Sequence, residues 1–276
     1  MPDLLILCPD TDLLLQLEPL GRQLSFRVKS TTEQQVAESW LELRKFDLAL
    51  MHTSIPLPVQ ERLADLLWKR NLAARLLLVG FEPDDPRAPA ARLFGAEVVR
   101  GQDLISELTQ ILQAFKPQPR VNEKQHHILV VEDLDSPRDI ICILIESMGY
   151  VHVHGRGSAA EALATLEEEP QKYTCVITDI RMPEMNGVEL IRKVRATQSM
   201  SHIPVVVLTA FGTSDWLIEC LKAGASGFLI KPPRKDDLAR ELGRPTRIFS
   251  HGLDPRLVKE DDLEALQRIL EERGFV

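Results

Sequence analysis

Residues 128–131, 175–178, 204–208 and 227–230 form four short apolar, largely β-branched runs, and each leads directly into a polar or charged side chain. Runs this short suit strands buried on both faces, which belong to parallel sheets covered by helices. The intervening segments have helical spacing. Ile140, Ile141, Leu144, Ile145 and Met148 recur until Gly149, and Ser136-Pro137 reads as an N-cap followed by an N1 proline. Ala162, Leu163 and Leu166 follow Ser158; Val188, Leu190, Ile191 and Val194 follow Asn186-Gly187; Trp216, Leu217, Cys220 and Leu221 follow Ser214. Strands alternating with such helices predict an α/β fold with a doubly wound parallel sheet, whose functional edge lies at the strand C-termini. Glu132, Asp133, Asp179, Thr209 and Lys231 would then converge on that edge.

Taken singly, these residues are ordinary, since an Asp after a strand usually caps a helix and a Lys-Pro usually makes a turn. In register they describe a phosphorylation site. Asp179 supplies a carboxylate free to attack phosphorus. Glu132 and Asp133 offer the oxygen ligands that Mg2+ prefers, and that ion would offset the charge crowded around the phosphoryl group. Thr209 is a hydroxyl donor and Lys231 a fixed cation for the equatorial oxygens.

The segments ILVVED, VITDIRMPEMNG, VVVLTAFG and FLIKPP stand in one order within residues 126–243. With them the chain resembles the receiver domains of two-component response regulators. The resemblance implies that Asp179 is the phosphoacceptor, charged by a phosphohistidine on a sensor histidine kinase or histidine phosphotransfer protein. It implies that Asp133, Asp179 and the backbone carbonyl of Arg181 hold Mg2+, with Glu132 acting largely through the metal's water shell. Thr209 and Phe228 would form the switch pair, Lys231 would bridge to the phosphate, and the Lys231-Pro232 bond would be cis. Arg181 and Phe211 occupy the positions that modulate phosphate hydrolysis, and their bulk implies a long-lived phosphoryl group.

The chain also repeats itself. Residues 45–56 overlay 172–183 without a gap, 76–81 echo 206–211, and 94–100 echo 223–231 with two residues missing. A repeat of domain length implies two copies of one fold. The expected organisation is therefore a degenerate receiver-like domain at 1–116, a polar, Pro-bearing linker at 117–125, a receiver at 126–243 and a C-terminal extension at 244–276. The fold expected is two tandem (βα)5 flavodoxin-like domains plus a short helical tail. In the first copy His52 stands in the acceptor's place, Val79 or Gly80 in the threonine's and Arg100 in the lysine's, while Asp10 is all that could survive of the acidic pair. That copy reads as a pseudo-receiver kept for docking or dimerisation.

In the tail, Gly243-Arg244-Pro245 should end the last receiver helix, and Leu263, Leu266, Ile269 and Leu270 form one stripe of a further helix. This segment is too short for a winged helix. A net charge of −8 over 276 residues argues against a binder that works by neutralising nucleic-acid phosphates. Cys8, Cys142, Cys175 and Cys220 lie far apart in apolar contexts, as reduced thiols of a cytoplasmic protein would. The N-terminus lacks a basic signal region, and no run is long enough to span a bilayer. His126-His127 and His152-Val153-His154 read as solvated surface. The expected partners are the phosphodonor, a downstream protein target and a second copy of the chain, and the expected catalysis is confined to the protein's own phosphorylation and dephosphorylation. Two alternatives stand beside this reading: a haloacid-dehalogenase-like phosphatase using Asp133 and Asp135, and a structural tandem module that is never phosphorylated.

Overall fold

The structure is a computed structural model describing residues 1–82, 85, 87–100, 103–116, 125–210, 214–258 and 262–264. Of the expectations above, residues 117–124 of the linker, Phe211 and the tail residues Leu266, Ile269 and Leu270 lie outside the described residues. The chain divides into two compact units, Met1–Pro119 and Arg120–Val276.

The first unit runs β1 (Asp3–Leu7), α1 (Thr11–Gln23), β2 (Arg27–Thr31), α2 (Gln34–Leu43), β3 (Leu48–His52), α3 (Leu57–Arg70), β4 (Arg75–Val79), α4 (Arg87–Leu93), β5 (Glu97–Val98) and α5 (Leu104–Ala114). Its sheet is parallel throughout, in the order β2-β1-β3-β4-β5. The second unit repeats the plan with β6 (His127–Val131), α6 (Asp135–Ser147), β7 (His152–Arg156), α7 (Ala159–Glu168), β8 (Cys175–Asp179), α8 (Gly187–Ala196), β9 (Val205–Thr209), α9 (Ser214–Ala223), β10 (Gly227–Ile230) and α10 (Lys235–His251). Its parallel order is β10-β9-β8-β6-β7. Both units are flavodoxin-like, as the alternation of runs predicts.

Strand periodicity explains the layers of the second unit. Leu129 and Val131 pack with Ala162 and Leu166 of α7 and Ile191 of α8. Their neighbours Ile128 and Val130 pack on the other face with Ile141 and Ile145 of α6 and Leu238 and Leu242 of α10. The middle strand, β8, is buried from end to end. Each such fully buried aliphatic side chain contributes about 1.5–3 kcal/mol. From β6 the chain steps to β7 on one side and then returns to β8 on the other. The crevice at the carboxyl ends of β6 and β8 is therefore the topological switch point.

Three local expectations need correction. Helix α6 starts two residues early: Leu134 is its N-cap, without a side-chain bond, and Pro137 is the third helical residue. Proline is tolerated there because the first four N–H groups have no intrahelical acceptor. By contrast, Ser158 accepts from the Glu161 N–H, and Asn186 forms a full capping box with Glu189. Helix α9 begins at Ser214, whose side chain lies outside the described residues.

The break expected at 243–245 is absent: α10 continues to His251 and ends at Gly252, whose φ of 61° is the left-handed cap conformation. Gly243 and Pro245 both disfavour a helix interior, and Pro245 lacks the N–H that would reach the Glu241 carbonyl. Tertiary contacts override them. Arg244 grips the buried Glu241 carboxylate at 2.5 and 3.2 Å, and the Thr246 hydroxyl lies 2.9 Å from His126 Nε2.

His126 is therefore a buried bridge and not solvated surface. Its Nδ1 lies 2.9 Å from the Thr174 hydroxyl, which itself donates to the His127 carbonyl at 3.2 Å. That leaves the Thr174 oxygen to accept from Nδ1–H and the Nε2 lone pair to accept from Thr246. Burial lowers the pKa of His126, which keeps the ring neutral. His127 and His152, paired in register across β6 and β7, stack at 4.1 Å and are partly buried too. Among the described residues no helix is long and apolar enough to cross a membrane.

Candidate functional site

Four strand ends meet at the switch point. Asp179 closes β8, Glu132 and Asp133 follow β6, Thr209 closes β9 and Lys231 follows β10. Carboxylate oxygens of Glu132, Asp133 and Asp179 all lie within 4.8 Å of one another. Lys231 Nζ sits between two of them, 2.6 Å from Glu132 Oε2 and 3.0 Å from Asp179 Oδ1. At such spacing and an effective dielectric of ~20, two unit charges repel by roughly 3–4 kcal/mol. Three carboxylates facing one ammonium leave an excess of negative charge that a divalent cation would offset.

Glu132 is the most buried of the three, at 1 % exposure. Burial pushes its carboxyl above the ordinary value, Lys231 pulls it back, and the Asp179 and Asp133 charges push it up again. A proton thus competes with a cation for Glu132 at a higher pH than it would at a free carboxyl. Asp179 Oδ1 also accepts from the Ile180 N–H at 2.8 Å, which fixes its rotamer and leaves the other oxygen open. Octahedral Mg2+ spaces its ligand oxygens ~3 Å apart in cis and ~4 Å in trans, given metal–oxygen bonds of about 2.1 Å. Three carboxylates offer the hard oxygen donors that this ion takes.

Around the carboxylates, Thr209 donates its hydroxyl to the Ala210 carbonyl at 2.9 Å. Phe228 is partly buried against the core on the α7–α9 side of the sheet. The Lys231-Pro232 bond is cis, and the Lys231 N–H donates to the Thr209 carbonyl at 2.8 Å. Arg181 follows Asp179 with an exposed side chain. Asp135 is not in the carboxylate group: it lies in the first turn of α6, 86 % exposed and paired with Arg138.

Sequence reasoning missed how tightly the loop after Asp179 is built. The buried Thr178 hydroxyl donates to the Asp179 carbonyl at 2.9 Å. Gly187 starts α8 against that same carbonyl, and its N–H donates to Ile180 O at 2.9 Å. A Cβ at 187 would collide with the backbone of Asp179 and Ile180. The Asn-Gly pair is legible as a helix start, but this close approach is not.

The first unit shows what becomes of the same edge without acid. Strand register aligns β1 with β6 and β3 with β8, which puts Cys8 and Pro9 in the places of Glu132 and Asp133 and His52 in that of Asp179. Asp10 is no survivor of the acidic pair. It occupies the N-cap place that Leu134 holds in the second unit, and its carboxylate accepts from the Asp12 and Leu13 N–H groups. His52 pairs with Val79 as Asp179 pairs with Leu208, so Gly80 stands for Thr209. By the same register Arg100 stands for Ile230, one residue short of the lysine's place. Nδ1 of His52 accepts from the Ser54 N–H at 3.2 Å, and burial lowers its pKa.

The chain is similar in sequence to known proteins. The family model for the response regulator receiver domain matches residues 128–242. The two-component response regulator ORR11 of Oryza sativa subsp. indica is 36 % identical over 118 residues, covering 43 % of this chain and 79 % of that protein. The chemotaxis protein CheY of Pseudomonas aeruginosa is 34 % identical over 105 residues, covering 38 % of this chain and 83 % of that protein. Among solved structures, a response regulator receiver domain protein from Clostridium thermocellum is 28 % identical, covers 46 % of this chain and 99 % of its own, and has a TM-score of 0.43.

Proposed function

The chain belongs to the two-component response regulators, and from that membership we propose that its second unit is a Mg2+-dependent phosphoacceptor switch with Asp179 as the acceptor. The observation that carries this reading is the convergence of three carboxylates and Lys231 at one switch point. The donor is a phosphohistidine on a sensor histidine kinase or phosphotransfer protein. The free carboxylate oxygen of Asp179 attacks phosphorus, the P–N bond breaks, and the leaving imidazole is protonated. Asp133, Asp179 and the Arg181 carbonyl would hold Mg2+, Glu132 would act through its water shell, and the ion would supply charge neutralisation during transfer.

The remaining residues turn chemistry into a signal. Lys231, already within 3.0 Å of Asp179 Oδ1, follows the new charge from carboxylate to phosphoryl group. The Thr209 hydroxyl exchanges the Ala210 carbonyl for a phosphoryl oxygen, and Phe228 turns into the space vacated. The changed surface engages a downstream protein or a second copy of the chain. The first unit, with Cys8, Pro9 and His52 in place of the three carboxylates, works as a docking or dimerisation module. The protein acts in the cytoplasm and catalyses only its own phosphorylation and dephosphorylation.

Intact mass after incubation with acetyl phosphate tests the reading. One phosphoryl group per chain is expected with Mg2+ and none with excess chelator. A protein that binds Mg2+ yet gains no mass, or one labelled equally with chelator present, would overturn it.

Gly187→Ala gives a sharper test of geometry. The atoms its methyl group meets are backbone, so they cannot rotate aside. A displacement of about 1 Å at Asp179 costs on the order of 100-fold in rate. A drop of about that size in labelling rate is expected from a protein that still unfolds cooperatively, and an unchanged rate would contradict the proposed constraint.

A further inference from the structure

Arg138 is unaccounted for by the chemistry above, yet it is built into the site. It is the fourth residue of α6, only 18 % exposed, and its Nη1 donates to the backbone carbonyl of Glu132 at 2.8 Å. Its arm lies along the edge strand β7 over Gly155 and beside Gly157, which follows the strand. A Cβ at Gly155 would come within 3.0 Å of Arg138 Cδ, and one at Gly157 within 3.4 Å of Nη1. Gly155 leaves a trough in which this side chain rests, whereas a Cβ at Gly157 would make only ordinary contact with it. The other half of the guanidinium pairs with the exposed Asp135, an arrangement that adds little energy by itself.

The carbonyl of Glu132 and the N–H of Asp133 belong to one rigid peptide plane. The preceding plane is held as well, because the Glu132 N–H donates to the Arg156 carbonyl at 3.1 Å. These two planes flank the Glu132 Cα, so fixing both fixes the direction in which the Glu132 side chain leaves the backbone and the place of the Asp133 Cα. We infer that Arg138, its arm lying in the space left at Gly155, is a positioning residue that holds the Glu132 side chain and the Asp133 Cα in place at the metal site and so sets the Mg2+ affinity of the site. This inference rests on the proposed Mg2+ site and adds to it a residue that touches neither metal nor phosphoryl group.

Mg2+ titration of the full chain by calorimetry, with no phosphodonor present, tests it. Loss of an outer-shell partner typically weakens metal binding 10–100-fold, and Arg138→Ala is expected in about that range. Arg138→Lys, able to donate one bond to the same carbonyl, is expected to recover part of the loss. Gly155→Ala keeps the guanidinium but lifts the arm from its trough, and a smaller loss of affinity is expected. At saturating Mg2+ the labelling rate of all three should return to within about threefold of the parent. Parent-like Mg2+ affinity in Arg138→Ala and Gly155→Ala would overturn the inference, as would a labelling defect in both that saturating Mg2+ does not repair. If the parent itself binds no Mg2+, the functional reading fails first, and the two failures are thereby distinguished.

Discussion

Asp179→Asn is expected to yield a folded protein that takes up no phosphoryl group under conditions where the parent gains one. The amide nearly matches the carboxylate in size and keeps an acceptor oxygen for the Ile180 N–H, so the β8 end retains its shape. An amide is a far weaker nucleophile, and it removes one of the three charges that make the site attractive to a divalent ion. Residual labelling should be no more than a few per cent, read by intact mass. A second consequence follows from the crowding of Glu132, Asp133 and Asp179. With one charge removed, the metal-free variant should be more stable than the parent by about 1 kcal/mol, roughly 2–4 °C in Tm for a unit of this size. Undiminished labelling would move the acceptor elsewhere, with His52 the next residue to test. A metal-free variant less stable than the parent would mean that Lys231 more than compensates the crowding.

Arg244→Ala carries the largest expected loss of stability. Its guanidinium meets Glu241 through two nitrogens, and both side chains are nearly inaccessible. Removing the arginine leaves a carboxylate buried beside Gly227, with Arg240 as a distant partner at 3.7 Å. Breaking a buried pair in this way typically costs 3–5 kcal/mol, which corresponds to a fall of about 10 °C in Tm. Replacing both members with methionine should recover most of the loss, since the desolvation penalty disappears along with the attraction. Thermal unfolding of the two variants beside the parent decides the matter. A single variant within 1 kcal/mol of the parent would show that water or Arg240 solvates Glu241 adequately.

Much of the second unit is legible in the amino-acid sequence because its strands are short, apolar and end on chemistry. Ile128 through Val131 and Cys175 through Thr178 have no other stable place than the middle of a parallel sheet, and the polar residues after them must therefore share an edge. What escapes the sequence is set by contacts distant in the chain. The helix through Pro245 depends on Glu241, His126 and Thr174, none of which marks residues 243–245 as helical. Propensity is right about the local cost and silent on what offsets it. In the first unit, composition alone does not decide whether Asp10 belongs to an acidic pair or a helix cap. Only strand register settles that, because shifting β1 by one residue would send each of its buried side chains to the opposite face of the sheet. Arg138 is invisible for a related reason: its meaning lies in a glycine on another strand, Gly155, and in the Glu132 carbonyl.

The long last helix bears on how such proteins can be cut and rejoined. The match to the receiver-domain family model ends at residue 242, but a chimera joined there would separate Glu241 from its counter-charge and His126 from Thr246. A module that keeps both contacts must run past residue 242 to include Arg244 and Thr246, and the helix carrying them is capped at Gly252.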